Sequence, residues 1–343
     1  MSKPFISIVL SAYNAAKFVE QTLTSLLHQT FRNYEIIAVD DGSTDDTKKK
    51  LDRYSDRMTI IAQSHQGPEG ARNAGIECAQ GKYIVSFDAD DILFPYALEV
   101  YAVTIEKFGR PQLILGDMSY FESDSPVQRD NWDGSTVRCT ESLCFFKRRN
   151  SLDVSNSNTI ARRDVLIKVN GYQLNSFLYD DLCLLFRLGT QSPFLVIEYP
   201  TTVARRSHDA NFSSNPKVLL RGAMAICSSE RSELFPGGNA MRMDRRGLIA
   251  SNLAANILRL ALRTPCVSKL QKSATILRIL LTMRLFLFSG IVRLLCKRTY
   301  FRKEYEFKSV KEIPLNDPAG PVLEQPLKYA DKNERRIAAK FRA

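Results

Sequence analysis

The chain has 343 residues, 44% hydrophobic and 25% charged, so it can bury a sizeable core as one large domain or two ordinary ones. Its net charge of +11 is uneven: residues 245–343 contain 21 Lys and Arg and 7 Asp and Glu, whereas residues 1–244 contain 27 Lys and Arg and 30 Asp and Glu. The basicity therefore belongs to the tail, which argues against a nucleic-acid-binding protein. Seven scattered cysteines without CxxC spacing indicate reduced thiols, and no signal-peptide core is apparent, so we expect a cytoplasmic protein.

Four short apolar runs, rich in Ile and Val, alternate with helical patterns near the start of the chain. They occupy residues 5–11, 34–40, 58–64 and 83–88. Nearly continuous apolar character is typical of strands covered on both faces of a parallel sheet. Helices are predicted between them, the first after Asn14, which can cap it. The alternation predicts an α/β doubly wound sheet, extended by a helix from Pro95 and a strand over 112–121, with ligands at the carboxyl ends of the strands.

Polar residues follow each of these strands, in the sequences SAYN, DDGSTDD, SHQGPEGARN and DADD. Helix caps alone explain such residues in any one loop. Four polar loops together, the last holding Asp88, Asp90 and Asp91, indicate a single ligand-binding crevice. Three neighbouring carboxylates repel one another, so we expect a cationic partner there.

These motifs carry a resemblance. The stretches SIVLSAYNAAKFVEQTLTSLLHQTFRNYEIIAVDDGSTDDT and GARNAGIECAQGKYIVSFDADDIL resemble the nucleotide-sugar-binding half of family 2 glycosyltransferases, which are inverting enzymes of the GT-A fold. The resemblance is dense over the first 100 residues and thinner to residue 215. It implies a GT-A domain over residues 1–235 that transfers a sugar to a glycan or lipid-linked acceptor in cell-surface polysaccharide or glycolipid synthesis, and we expect the donor to be a UDP-sugar.

The resemblance also implies a divalent metal, Mg²⁺ or Mn²⁺, that bridges the donor's two phosphates and neutralises the leaving group. Asp90 is then the predicted metal ligand, and Asp88 contacts the metal or the ribose. Asp91 supports either role or caps the next helix. The stretch ARRSHDANFSS is similar to the family segment that closes the site, so His208 is predicted to bind the metal or the diphosphate; the alternative is a loop histidine without a role.

For the nucleotide, the resemblance implies that Ser11 and Tyr13 flank the base and ribose. It also implies that Asp41 accepts a hydrogen bond from the uracil imide N–H. Arg72 is predicted to reach the nucleotide or its phosphates. The alternative for Arg72 is an ion pair with one of the nearby aspartates.

An inverting transfer needs a base that takes the proton of the acceptor hydroxyl. The stretch NGYQLNSFLYDDLCLLFRLG fits the family's frame for this group, and alignment on Arg187 makes Asp181 the catalytic base. Two departures from the family pattern are Asp180 in place of the usual Glu and Cys183 at a position that is often acidic. The alternative is a helix N-terminus with favourable anions.

The tail differs in character from the rest of the chain. Residues 236–300 contain apolar helical stretches with interspersed arginines, which predict an amphipathic region on the anionic inner face of a membrane. The alternative is packing on the catalytic domain or on a second subunit. Residues 301–343 are predicted to be a flexible basic tail.

Two other functions fit parts of the pattern. A nucleotidyltransferase also uses aspartates and a metal on an α/β sheet, but it usually has a Gly-rich loop after the first strand, and SAYNAAKFVE has none. An inactive membrane-bound adaptor with the same fold is the second. No Walker loop, GxGxxG, HExxH or nucleophile elbow is present.

Overall fold

The structure is a computed structural model in which part of the chain is described. The described residues are 3–122, 127, 132, 134, 136–142, 154–176, 179–189, 194–208, 216–263, 310–314 and 323–325.

A single large sheet forms the centre of the fold. Its strands are β1 Ile6–Ala12, β2 Tyr34–Asp40, β3 Thr59–Ala62, β4 Tyr83–Asp88, β5 Ile92–Leu93, β6 Leu113–Glu122, β7 Thr136–Ser142, β8 Thr159–Arg162, β9 Phe194–Ser207, β10 Val310–Pro314 and β11 Leu323–Gln325. Their spatial order is β11-β10-β7-β9-β6-β8-β4-β1-β2-β3, and β5 pairs with β9. Pairing is parallel among β1, β2, β3 and β4 and antiparallel where β8 joins β4 and β6.

Helices cover the sheet on both faces. They are α1 Val19–Leu27, α2 Thr47–Asp52, α3 Gly67–Cys78, α4 Ala97–Lys107, α5 Arg163–Lys168, α6 Asp180–Leu188, α7 Pro216–Arg231 and α8 Arg242–Arg263. Successive side chains of a strand point to opposite faces. In β1, Val9 therefore joins the core that contains α3 and α6, whereas Ile8 and Leu10 join the core that contains α1 and α4. Burial on both faces explains why these strands are nearly continuous apolar runs.

The predicted α/β sheet is confirmed, and β1 to β4 are parallel as expected, but the rest of the sheet is mixed. Pairing of β6 with β9 is parallel, and pairing of β7 with β9 and with β10 is antiparallel. Both β10 and β11 lie within residues 301–343, for which the sequence predicted flexibility. The rest of that segment, and residues 264–300 of the predicted membrane-associating region, lie outside the described residues.

Asn14 does not cap the first helix, which begins only at Val19. Its backbone has a φ of 48°, and its Oδ1 accepts a hydrogen bond from the Thr44 N–H at 2.8 Å. Asn tolerates this left-handed conformation better than most residues. Asn14 therefore joins the loop after β1 to the loop after β2.

Among the helices of the described part of the chain, none has the length and apolar character needed to cross a membrane.

Candidate active site

The carboxyl ends of β1, β2 and β4 bring the predicted donor-site residues to one edge of the sheet. Ser11 lies near the end of β1, and its Cα pairs with Asp88 of β4 on one side and with Val39 of β2 on the other. Tyr13 follows β1 and is 46% exposed. An exposed aromatic ring at this edge offers a surface on which a flat base can stack.

Asp41 holds the loop that precedes α3. Its carboxylate accepts hydrogen bonds from Gln63 Nε2 at 2.7 Å and from the N–H groups of Gln66 and Gly67, both at 2.9 Å, and it is 2% exposed. His65 Nδ1 lies 2.8 Å from Asp41 Oδ2, and the ring centroids of His65 and Tyr13 are 4.1 Å apart. The loop thus places His65 against Tyr13. Both carboxylate oxygens of Asp41 already have partners within the protein. The predicted hydrogen bond from the uracil N–H to Asp41 therefore has to share one of these oxygens, and it stays a prediction.

The three acidic residues after β4 have different surroundings. Asp90 is partly exposed, and its Oδ2 lies 2.9 Å from Nε2 of His208, whose side chain is 13% exposed. Asp88 is also partly exposed, and burial together with the charge of Asp90 raises its pKa, an effect that Arg72 opposes. The structure therefore brings Asp88, Asp90 and His208, the three predicted metal ligands, to the same site.

The third acidic residue, Asp91, holds parts of the fold together. Its side chain is buried; Oδ2 accepts a hydrogen bond from Ser157 Oγ at 2.7 Å, and Oδ1 accepts one from the Arg206 N–H at 3.0 Å. Burial, reinforced by Asp90 and Asp88, raises its pKa well above the usual value. Asp91 thus joins the acidic turn to β9 and to the turn before β8.

Two arginines at the end of β9 were not predicted as site residues. Arg206 donates from Nε to the backbone oxygen of Asp90 at 2.8 Å, and its guanidinium packs 4.8 Å from the ring of Phe18. The same ring lies 4.6 Å from that of His208. Burial lowers the pKa of Arg205, but the charges of Asp91, Tyr120, Asp88 and Asp181 outweigh it and raise the pKa above its usual value. The two adjacent arginines just before His208 were the available sequence signal.

A buried polar turn before β8, residues 155–158, was also missed. Ser157 donates to Asp91 and accepts a hydrogen bond from the Asp88 N–H at 3.1 Å, while Asn156 Nδ2 donates to Asp180 Oδ2 at 3.2 Å. All four side chains of the turn are buried. A run of small polar residues is typical of a surface loop. The sequence therefore did not indicate that this turn is buried next to the carboxylates.

Arg72 lies between the two groups of carboxylates. Its Nη2 is 2.6 Å from Asp88 Oδ1, and its Nη1 forms an ion pair with Asp180 Oδ2. The alternative interpretation of Arg72, an ion pair with nearby aspartates, is therefore what the structure contains.

Asp181 stands beside this pair at the start of α6. Its Oδ1 accepts a hydrogen bond from the Leu182 N–H at 2.5 Å. Within the described part of the chain, no hydrogen bond reaches its Oδ2. Burial, with a further contribution from the charge of Asp180, raises the pKa of Asp181 to about 7. A carboxylate with such a pKa and an available oxygen can act as a base near neutral pH.

The donor set suits a divalent ion that shares its coordination with a substrate. Among the described residues, no group of three or more His, Cys, Asp or Glu side chains is arranged to hold a metal ion, so Asp88, Asp90 and His208 do not by themselves form such a group. Mg²⁺ commonly takes one or two carboxylates and completes its coordination with phosphates and water. Asp88 and Asp90 provide those carboxylates, and His208 Nδ1 is buried with no hydrogen-bond partner in the described residues.

Comparisons with known proteins bear on the family and the fold of the chain. The family model "Glycosyl transferase family 2" matches residues 7–169. An uncharacterised glycosyltransferase of Rickettsia bellii is 35% identical over 229 residues, which are 65% of this chain and 32% of the relative. One of Rickettsia conorii is 35% identical over 230 residues, 65% of this chain and 36% of the relative. The chain therefore spans about a third of the length of these curated relatives.

Among solved structures, residues 1–349 of Staphylococcus aureus TarS in complex with UDP-GlcNAc superpose with a TM-score of 0.57. The superposition covers 94% of this chain and 99% of that one at 16% identity, so it shows a shared fold. Together with the family model, it leads to one conclusion. Residues 7–169 match glycosyltransferase family 2, and the chain has the GT-A fold.

Proposed function

We propose that the chain transfers a sugar, with inversion, from a UDP-sugar to a hydroxyl of a glycan or lipid-linked acceptor in cell-surface polysaccharide or glycolipid synthesis. The observation that carries this proposal is the closeness of two carboxylate groups, Asp88 and Asp90 on one side and Asp180 and Asp181 on the other, because Arg72 pairs with both Asp88 and Asp180. The first group suits a diphosphate with its cation, and the second suits an attacking hydroxyl.

The residues divide the reaction between them. Tyr13 stacks on the base, and Ser11 lies beside the ribose. Asp181 Oδ2 takes the proton of the acceptor hydroxyl while the hydroxyl oxygen attacks the anomeric carbon from the face opposite the diphosphate. The bond from that carbon to the diphosphate oxygen breaks, and UDP leaves. Arg205 offers positive charge beside Asp91 and Asp181.

A divalent ion, Mg²⁺ or Mn²⁺, would be held by Asp90 with Asp88 and His208. When bound, it neutralises the negative charge that develops on the leaving diphosphate. The chain's own part is to hold these side chains in place: His208 through Phe18, and the acidic turn through Asp91 and Arg206.

The test uses the purified full chain and a panel of nucleoside diphosphates and nucleotide-sugars, with Mn²⁺ or with EDTA. We expect UDP and a UDP-sugar to raise the melting temperature in Mn²⁺ and much less in EDTA, because a ligand that binds only the native state stabilises it. With an acceptor, UDP should be released. The Asp90→Ala variant should lose the Mn²⁺-dependent shift, whereas the exposed Asp56→Ala control should keep it.

Three results would contradict the proposal in different ways. Stabilisation by a nucleoside diphosphate other than UDP would show that the donor is not a UDP-sugar. Equal UDP binding in EDTA, with full transfer by Asp90→Ala, would show that the reaction needs no metal at this site. Release of pyrophosphate in place of UDP would identify a nucleotidyltransferase.

A further inference from the structure

The guanidinium of Arg72 joins carboxylates that are far apart in sequence. Asp88 lies 16 residues after it, at the end of β4, and Asp180 lies 108 residues after it, at the first turn of α6. Each carboxylate receives a different Nη atom of the same planar group. A guanidinium is suited to such a two-sided contact because its donors have fixed directions, whereas an ammonium is a point charge.

Arg72 is itself held in place from several sides. The ring of Tyr172 lies 5.3 Å from the guanidinium carbon. Asn73, the next residue, donates from Nδ2 to the Tyr172 backbone oxygen at 2.9 Å and accepts from the Tyr172 N–H at 2.7 Å. The Arg72 side chain is 6% exposed. Its position is therefore fixed by α3 and by the loop before α6, with little access from the crevice.

Asp180 completes the connection to the base. Its Oδ2 accepts from Arg72 and also from Asn156 Nδ2, so this carboxylate is anchored on two sides. Asp181 is its neighbour in the first turn of α6. A displacement of the backbone at Asp180 moves Asp181 as well, because the two residues are consecutive in the first turn of α6.

We propose that Arg72 is a positioning residue, which fixes the base Asp181 relative to the donor carboxylate Asp88 by holding Asp180, and that it is not a ligand of the nucleotide. This inference rests on the proposed transfer reaction. Its physical basis is geometry: a displacement of about 1 Å between reacting groups can lower a rate about 100-fold. Donor binding does not require Arg72 to leave its two carboxylates.

The experiment compares Arg72→Lys with a matched control, Arg162→Lys. Arg162 also contacts a carboxylate with two nitrogens, but at the surface: its Nε donates to Asp164 Oδ1 at 2.6 Å, and its Nη2 donates to Asp164 Oδ2 at 2.9 Å. Lysine keeps the positive charge, so folding should survive, but it cannot span both carboxylates. We expect Arg72→Lys to lower kcat by about 100-fold and to leave the Kd for UDP unchanged, and Arg162→Lys to change neither.

A second variant tests the same connection without altering Arg72. Asn156→Ala removes the other donor to Asp180 and should lower kcat in the same direction, by less than Arg72→Lys does. Hydrogen exchange of the amides at the start of α6 should become faster in both variants and stay unchanged in Arg162→Lys. This readout needs no turnover.

The outcomes separate this inference from the proposed function. A loss of UDP affinity of about tenfold or more in Arg72→Lys, the size expected when a charged hydrogen bond to the ligand is lost, would overturn the positioning role. Unchanged kcat and unchanged exchange in both variants would overturn it too. If wild type transfers no sugar, the proposed function fails, while exchange at α6 still decides whether Arg72 holds this turn.

Discussion

The two adjacent aspartates at the start of α6 differ in what surrounds them. Asp180 accepts hydrogen bonds from Arg72 and Asn156 on one oxygen. Asp181 accepts one from its neighbour Leu182. Two residues of the same type therefore have separate tasks: one is held in an ion pair, and the other has an oxygen available for a proton.

Replacing Asp181 by Asn tests the task of the second. The amide keeps the shape but cannot take a proton, so we expect kcat to fall by about 10²–10⁴-fold while the affinity for UDP is retained. UDP release and nucleotide titration measure the two quantities. Asp164→Asn, at the surface, is the matched control. Full turnover of Asp181→Asn would show that another group is the base.

The raised pKa of Asp181 predicts how activity depends on pH. A base must be ionised, and the pKa of this carboxyl is about 7, so kcat/KM of wild type should rise with pH and level off above about 7. A profile that levels off near pH 4, the usual pKa of an aspartate, would contradict this assignment.

The same shift has a consequence for stability. Asp181 has a higher pKa in the folded chain than in the unfolded one, so its protonation favours folding at low pH. That contribution is complete below the usual aspartate pKa and is lost as pH rises to about 7. Relative to wild type, the melting temperature of Asp181→Asn should therefore increase over this window and stay higher above it. A constant difference across the window would contradict the expected burial of this charge.

At the scale of elements, close packing of α3 on β1 sets the position of Arg72. Gly75 lies one turn after Arg72, and a Cβ added there would be 2.2 Å from Val9 Cγ1 of β1. The helix can approach the strand this closely because the residue has no side chain. The site therefore depends on a contact between elements that neither ligand nor substrate touches.

Gly75→Ala should move α3 away from β1. We expect a loss of about 1–3 kcal/mol in the free energy of unfolding, as for other overpacked cores, and a fall in kcat as Arg72 shifts with the helix. Chemical denaturation and UDP release measure these effects. Cys78→Ala, on the exposed side of the same helix, is the control and should change neither. Unaltered stability of Gly75→Ala would mean that the helix adjusts without strain.

Elements with a strong local pattern could be predicted from the sequence. The predicted strands 34–40 and 83–88 match β2 and β4 residue for residue, because both are buried on both faces. The predicted strand 58–64 is longer than β3, Thr59–Ala62, which lies at the edge of the sheet and is partly exposed. Local periodicity therefore identifies a strand best where both faces are covered.

The site shows the same limit. Asp88 and Asp90 could be predicted because they are neighbours in sequence. The long-range pairs around these two residues cannot be recognised in this way: Ser157 and Asp91 are 66 residues apart, and Arg72 and Asp180 are 108 apart. Such contacts depend on strand order, in particular on the antiparallel insertion of β8 between β4 and β6.

At the scale of the whole molecule, charge is distributed unevenly. The part up to Asp244 carries slightly more acidic than basic residues, and the part after it has 21 Lys and Arg against 7 Asp and Glu. A lipid-linked acceptor would present its hydroxyl at an anionic surface, to which a basic, apolar segment is attracted. The charge distribution thus agrees with a catalytic domain held at the inner face of a membrane, which remains our proposal.

Vesicle binding of the full chain tests this proposal. Wild type should bind vesicles that contain anionic lipid and release them as salt rises, because screening weakens the attraction. Each basic residue near the surface contributes about 1 kcal/mol, so Arg278→Glu combined with Arg284→Glu should weaken binding by about 30-fold or more. Arg57→Glu, an equal change of charge per residue at an exposed position between α2 and β3, should have little effect. Equal binding of all three proteins, or binding that ignores lipid charge, would favour a tail that packs on the catalytic domain or on a second subunit.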